Sequence, residues 1–526
     1  MNPVPVTEFA AVVRALSAEL MLAIGVVALV LMSLKFSKNE QREQAGWAAA
    51  AFIVAAGIAL YMFTLRPFLD EGAGPSFVGL GIGNRMLVID KLAILFKFLF
   101  LGIGLLSILI AQRSKEIMQD HLLEFYALML AVIFGMMFMA TSADFLMIYL
   151  SIEMVSILSY ILAGFVRGSL RSSEASLKYL LYGAMSSGIM IYGMSLIYGF
   201  AGTTNIMEIA YKFRGADYSN NVLMMMAMLF VFAGIGYKIA SVPFHFWCPD
   251  VYQGAPLPVT AFFSVGPKAA GFALAMRFFV FGLSAPTETN LAGHATMEIL
   301  GHIDWRTPIY ILSIATMTLG NLAALRQSNV KRLLAYSSIA HAGYLMMGLV
   351  ALTPRAMASI PLYLVIYAVM NLGAFYVVQV IAEQRGSDDL ESFRGSFKEA
   401  PWLGIAMCVF MFSLTGLPPL AGFAGKFYLF GAVVEQAARA GESRLWILLV
   451  IGVLNSAISL FYYVRVIRAM MAGSFDSAEE AEPAKALPVL SVSWATMTVL
   501  MIFVIPTVVM GVSFGWLIDA AEWAFS

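Results

Sequence analysis

The sequence predicts an all-α polytopic membrane protein with about fourteen transmembrane helices. Three observations carry that expectation. The composition is 61% hydrophobic and 12% charged over 526 residues, far from the roughly 45–50% apolar and 25% charged make-up of soluble domains. Apolar stretches of about 20 residues, enough to cross a hydrocarbon core of about 30 Å, recur with only short polar connections. Two of those stretches carry proline near their middle, at Ser241-Val242-Pro243 and at Gly416-Leu417-Pro418-Pro419.

The spans centre near residues 26, 55, 101, 131, 154, 189, 232, 270, 316, 340, 370, 418, 457 and 503. The first run lacks a basic leading region and a small-residue cleavage pattern, so it reads as a retained helix rather than a signal peptide. An even number of spans puts both termini on one side. Lysine and arginine concentrate in alternate loops, with Lys35, Lys38, Arg113, Arg167, Arg326 and Arg332 on one side against Arg66, Arg214 and Arg355 on the other. The positive-inside rule then places both termini on the outer, periplasmic side of a bacterial plasma membrane. The stretch Gly79-Leu80-Gly81-Ile82-Gly83 has no helix-opening context and reads as an extramembrane loop rather than a nucleotide site.

Proline removes an amide donor and clashes with the preceding turn, so spans seven and twelve are expected to split into half-helices with freed carbonyls. Such breaks are tolerated where they line a protein-filled or wet cavity. Breaks at matching places in two halves also point to a repeat architecture with sites near the midplane. The expected organisation is spans one to three over 1–120, a first five-helix repeat over 121–285, an inverted second repeat over 300–472, and a last helix within 486–526. Simple structural kinks are the competing explanation.

Charge inside the bilayer costs roughly 2.5–3.5 kcal/mol per residue on insertion scales. Six buried ionisable positions therefore call for an explanation: Glu153, Lys178, Lys238, Lys268, His341 and Lys426. Glu153 shares a helix face with Tyr149, Ser156 and Tyr160, and a nearby lysine would hold it ionised. A static salt bridge would satisfy the same pattern. Lys238 follows Ala233-Gly234-Ile235-Gly236 and precedes Pro243, so close backbone approach and a freed carbonyl are both expected. Desolvation lets a lysine give up and regain a proton, whereas snorkelling would take it to the interface. Lys268 follows Pro267, where irregular backbone would offer carbonyls, either to a relay lysine or to a purely structural one. Lys426 lies two turns beyond Pro418-Pro419. His341, with Ser337 and Tyr344 near it on the helix, titrates in the useful range, although a satisfied core histidine fits equally. Lys178 could snorkel or modulate the Glu153–Lys238 pair. Asp144, after Ser142, suits a helix end, and His245 is expected near a channel mouth.

Balanced charge, 32 basic against 32 acidic residues, argues against a nucleic-acid partner. The histidines show no metal-ligand spacing on one helix. Cys248 and Cys408 are too few for an all-cysteine iron–sulfur cluster and are expected as buried free thiols.

The run Tyr237-Lys238-Ile239-Ala240-Ser241-Val242-Pro243-Phe244-His245-Phe246-Trp247, with Asp250-Val251-Tyr252-Gln253-Gly254-Ala255-Pro256 and Val265-Gly266-Pro267-Lys268, resembles the core signature of the antiporter-like proton-translocating family. So does the stretch from Lys331 through His341 to Tyr344. That family comprises three large membrane subunits of respiratory complex I and subunits of multi-component sodium/proton antiporters. Residues 416–430 look most like its subunit N branch. Lys426 argues against the M branch, where glutamate is expected, and the lack of a long lateral C-terminal helix argues against the L branch. The resemblance implies Glu153 and Lys238 as the coupling pair, Lys178 as modulator, Lys268 as relay and Lys426 as distal proton carrier. It also implies no cofactor in this chain, with quinone, NADH, FMN and iron–sulfur clusters in partner subunits, and neighbouring membrane subunits and lipids as partners. A cation/proton antiporter or membrane-bound hydrogenase subunit is the alternative, and a structural membrane scaffold is an alternative of another class.

Overall fold

The computed structural model describes residues 12–35, 38–71, 76–78, 85–117, 121–219, 221–286, 297–472 and 488–525. The Gly79–Gly83 stretch and Lys485 lie outside these residues.

Local sequence signals set where the helices start. The first four amides of a helix have no internal partner, and a short polar side chain can satisfy one of them. Helices α1 (Ser17–Lys35), α2 (Lys38–Leu60) and α3 (Lys91–Ala111) come first, and Asp90 caps α3 by accepting from the Ala93 amide at 2.8 Å. Helix α4 spans Leu122–Thr141. Asp144 caps α5 (Phe145–Ala163) at the Leu146 amide, 2.8 Å, and also accepts from Thr204 Oγ1 at 2.6 Å. Its place at a helix end agrees with the sequence. Ser169 caps α6 (Leu170–Ala201), and Asn221 caps α7 (Val222–Ile239). The short α8 (Trp247–Gly254) follows, then α9 (Leu257–Ala275) and α10 (Arg306–Ala324). Asn329 caps α11 (Val330–Ala351), and Thr353 caps α12 (Pro354–Arg385), which opens on proline where the missing amide costs nothing. Helices α13 (Pro401–Thr415), α14 (Ala421–Ala440), α15 (Ser443–Met471) and α16 (Trp494–Val512) follow, with short helices at Arg66–Glu71, Ile206–Phe213, Ser396–Glu399 and Gly515–Trp523 between and after the long ones.

Among the described residues, thirteen helices are long and apolar enough to cross a membrane. These thirteen lie at the other thirteen expected spans, and the pair α13–α14 occupies the place of the twelfth. Two antiparallel strand pairs, Ser76–Val78 with Leu87–Ile89 and Ser284–Pro286 with Met297–Ile299, pin the connections at the helix ends.

Burial divides the helices into two sets. Every residue of 257–280 and nearly all of Val330–Ala351 are buried, whereas few of Trp494–Val512 are. The first two therefore form the inner wall of the bundle, and the polar residues they carry cannot reach lipid. Exposed side chains on the outer helices, such as Ile24, Leu34, Tyr192, Val453 and Phe461, are apolar, as a lipid-facing or partner-facing surface requires.

Candidate functional site

Both proline-marked spans break, and their ends close in the same way. Helix α7 stops at Ile239, with Ala240 in the left-handed region (φ 58°), its amide on the Tyr237 carbonyl and the Ser241 amide on the Gly236 carbonyl at 2.8 Å. Helix α13 stops at Thr415, with Gly416 at φ 92° and the Leu417 amide on the Phe412 carbonyl at 3.1 Å. This reversed-bond closure ends a helix sharply. Gly416 is required twice over, since a Cβ there would also lie 2.9 Å from Lys426 Cδ.

The lysines use the two breaks differently. Lys426 Nζ donates to the freed carbonyls of Leu414 (3.1 Å) and Thr415 (2.8 Å) and to Ser456 Oγ (2.9 Å), with the Tyr344 ring 4.9 Å away. At the first break the expected carbonyl goes elsewhere, because the Tyr237 carbonyl accepts from the Trp247 indole at 3.0 Å. Lys238 Nζ donates instead to Ser156 Oγ at 2.8 Å. Ser156 is the residue predicted to share the Glu153 face. Glu153 Oε1 is buried with no hydrogen-bond partner, and among the described residues no ion pair joins Glu153 to Lys238.

Lys268 corrects a second expectation. Helix α9 runs unbroken through Pro267, and the irregular π-helical turn lies further on, at Met276–Phe281. Lys268 therefore finds side chains rather than freed carbonyls. Its ammonium donates to Ser338 Oγ of α11, lies 3.8 Å from Cys248 Sγ and sits 5.6 Å from the centre of the Tyr252 ring. It is not hydrogen-bonded to Lys238, but their helices meet closely at Gly271, where an added Cβ would be 3.3 Å from Lys238 Cβ.

From Ser338 the polar row continues along α11. Ser337 Oγ meets Tyr463 Oη at 2.5 Å, Tyr463 Oη meets His341 Nε2 at 3.1 Å, and His341 Nδ1 meets Tyr363 Oη at 2.7 Å. The Tyr344 ring lies edge-on to His341, with centroids 5.7 Å apart, and on its other side faces Lys426. Lys238, Lys268, His341 and Lys426 are each at most 4% exposed. A row of titratable and hydroxyl groups thus crosses the interior from one break to the other. Hydroxyls both donate and accept, so they can pass a proton along without holding charge.

Lys178 stands apart from this row. Its side chain is 37% exposed and pairs with Glu174 and Asp250, both at 2.7 Å. His245 is buried, with Nδ1 unpartnered and the ring against Phe246 at 4.5 Å. Cys248 is buried as expected, but Cys408, on the outer α13, is only partly buried. Among the described residues no group of three or more His, Cys, Asp and Glu side chains is placed to hold a metal.

Among the charge pairs that escaped the sequence, two lie close to the N-terminal helices. Glu19 of α1 and Lys97 of α3 meet at 2.6 Å with 2% and 0% of their side chains exposed. Arg277, in the π-helical turn, pairs with Asp90 at 2.5 Å and donates to the Ala140 carbonyl at 2.7 Å. The signal for Lys97 was an ionisable residue two turns inside an apolar span. Its partner is remote in sequence and became visible only once α1 and α3 were side by side.

Residues 142–459 match the family model described as NADH:quinone oxidoreductase/Mrp antiporter, transmembrane, a stretch that holds both breaks and all of the row except Tyr463. The chain belongs to that family. Within the family it is 46% identical over 459 residues to NADH-quinone oxidoreductase subunit N of Anaeromyxobacter sp. (strain Fw109-5), covering 86% of each chain. It is 47% identical over 398 residues to subunit N of Chlorobium chlorochromatii (strain CaD3), covering 75% of this chain and 74% of that one. A chain of respiratory complex I from Thermus thermophilus with bound aureothin superposes with a TM-score of 0.72 at 30% identity, over 96% of this chain and 99% of the other. A chain of the Mrp complex from Dietzia sp. DQ12-45-1b shares the family fold with a TM-score of 0.79, at 18% identity over 98% and 97% of the two chains. As a member of this family the chain is an integral protein of the bacterial membrane.

Proposed function

We propose that this chain is the antiporter-like subunit N of a bacterial NADH:quinone oxidoreductase and moves protons across the membrane while quinone is reduced elsewhere in the complex. One observation supports this most: the buried row that leads from Lys238 and Ser156, by way of Lys268 and Ser338, through Tyr463 and His341, to Lys426 and Ser456. A structural scaffold has no use for several desolvated ionisable groups, since well-packed apolar side chains are as stable or more so. The subunit N relatives, at 46–47% identity, also favour this over a cation/proton antiporter subunit.

Glu153 and Lys238 form the coupling pair, and Lys178 acts as its modulator. A conformational change in a neighbouring membrane subunit moves the Glu153 carboxylate toward or away from the Lys238 ammonium. An approaching carboxylate favours charged lysine and its withdrawal favours the neutral form, so the pair loads and releases a proton in turn. Three steps lack a direct hydrogen bond, Lys238 to Lys268, Ser338 to Ser337 and His341 to Lys426, and water entering there completes the relay. His341 relays between the serine–tyrosine segment and Lys426, which hands the proton on. The repeats span 121–285 and 300–472, both termini face the outer side, and protons enter from the inside. NADH, FMN, iron–sulfur clusters and quinone are held by partner subunits.

The Glu153→Gln variant tests the reading. With assembly verified on a native gel, NADH-driven proton uptake by inverted vesicles is expected to fall at least about tenfold for this channel, because Gln cannot switch charge. Uptake at the wild-type level in assembled complex refutes the coupling role.

A further inference from the structure

Asp250 lies on α8, the eight-residue helix that begins just beyond the first break. Its two oxygens are divided between the halves of the molecule. Oδ2 accepts from Lys178 Nζ of α6 at 2.7 Å, and Oδ1 accepts from Arg332 Nη1 of α11 at 2.6 Å. Arg332 Nη1 also donates to Gln253 Oε1 at 3.1 Å, on the same short helix. Both bonds to Asp250 are charge-assisted and short, the stronger class of hydrogen bond. At 100° per residue, Cys248 and Tyr252 each stand about 200° from Asp250, on the opposite face. That face is the one that touches Lys268, with Cys248 Sγ at 3.8 Å and the Tyr252 ring at 5.6 Å. Trp247, at the start of the same helix, ties it to the Tyr237 carbonyl next to Lys238.

Two helical turns are too short to bend, so α8 moves as one piece. A charge clasp on one face and the surroundings of a relay lysine on the other are then mechanically linked. We propose that Asp250 is a positioning residue of the proton relay: by holding Lys178 and Arg332 together it seats α8, and through α8 it sets the contacts that Cys248 and Tyr252 make with Lys268. Displacement of Lys178 in the first half is thereby felt at Lys268. This inference rests on Lys268 being a relay residue.

The test uses the intact complex reconstituted in liposomes, with Asp250→Asn, Lys178→Met, the two combined, and Lys268→Met. NADH-driven proton translocation per electron is measured as a function of pH, and assembly is checked on a native gel. Asp250→Asn is expected to assemble, to lower coupled pumping about tenfold, the low end of what a charge-assisted bond contributes, and to displace the pH optimum. Because Asp250 and Lys178 belong to one clasp, which opens when either is lost, the double variant should be no worse than the more affected single variant. Wild-type pumping and pH profile in Asp250→Asn, or losses that multiply in the double variant, overturn the proposal. Should Asp250→Asn fail to assemble, Arg332→Gln is read in its place; a similar fall supports the clasp and wild-type pumping overturns it. Lys268→Met separates the two levels. If it pumps normally, the relay reading itself fails, whereas if it is inactive while Asp250→Asn is normal, only the Asp250 role fails.

Discussion

Replacing Lys426 with arginine separates charge from proton exchange. The lysine ammonium is fixed by the Leu414 and Thr415 carbonyls and by Ser456, all within 3.1 Å. Arginine keeps a positive charge and enough donors for all three acceptors, so the break between α13 and α14 remains satisfied and the fold is expected to persist. What changes is the ability to become neutral. The intrinsic pKa values of the two side chains differ by about 3 units, and at about 1.4 kcal/mol per unit this adds roughly 4 kcal/mol to the neutral state, a factor of about 10³ in its population. If Lys426 carries protons, Lys426→Arg assembles normally and its channel conducts at a few per cent of wild type or less, seen as lost proton uptake per NADH oxidised in inverted vesicles. If the lysine only glues the break, the arginine variant pumps like wild type, and that result would refute the reasoning.

Two further predictions concern charges outside the relay. Glu19→Gln leaves Lys97 buried without its counter-charge and should destabilise the N-terminal helices by roughly 3–5 kcal/mol, while Glu19→Leu with Lys97→Met should recover most of this; thermal stability of the purified complex distinguishes the pair from two independent sites. Glu442, in the turn before α15, is pushed up by burial, but Arg444 at 2.9 Å and Arg306 at 3.3 Å outweigh this and hold its carboxyl below the usual range. A lowered carboxylate contributes stability above its unfolded value, near 4.3, and loses it as pH falls through the folded value. Glu442→Gln should therefore cost about 1 kcal/mol at pH 7 and nothing once the wild-type carboxyl is protonated; a deficit that persists in acid contradicts this.

The fold was largely legible because span length and proline position are local properties. Asp144 was legible as a helix end, while Asn221, Asn329 and Thr353, which act on amides three residues away in the same way, became evident only in the structure. The relay lysines were legible as charges in apolar sequence, but their partners were not. Ser338, Tyr463 and Tyr363 meet Lys268 and His341 only after α9, α11, α12 and α15 pack together. Pro267 misled for a related reason. A proline inside a helix removes one bond, and the buried helix around it, held by its neighbours on every side, continues regardless. The two breaks also look equivalent in sequence, yet a tryptophan occupies the carbonyl at one and a lysine at the other.

The central claim is that buried lysines in this row exchange protons with turnover. The most direct measurement is NADH-driven proton uptake by sealed inverted vesicles carrying Lys238→Ala, with assembly verified on a native gel and quinone reduction recorded in parallel. The account predicts an assembled complex in which pumping and coupled turnover both fall; assembled complex with both at wild-type levels would mean that Lys238 is structural and that the row does not carry protons.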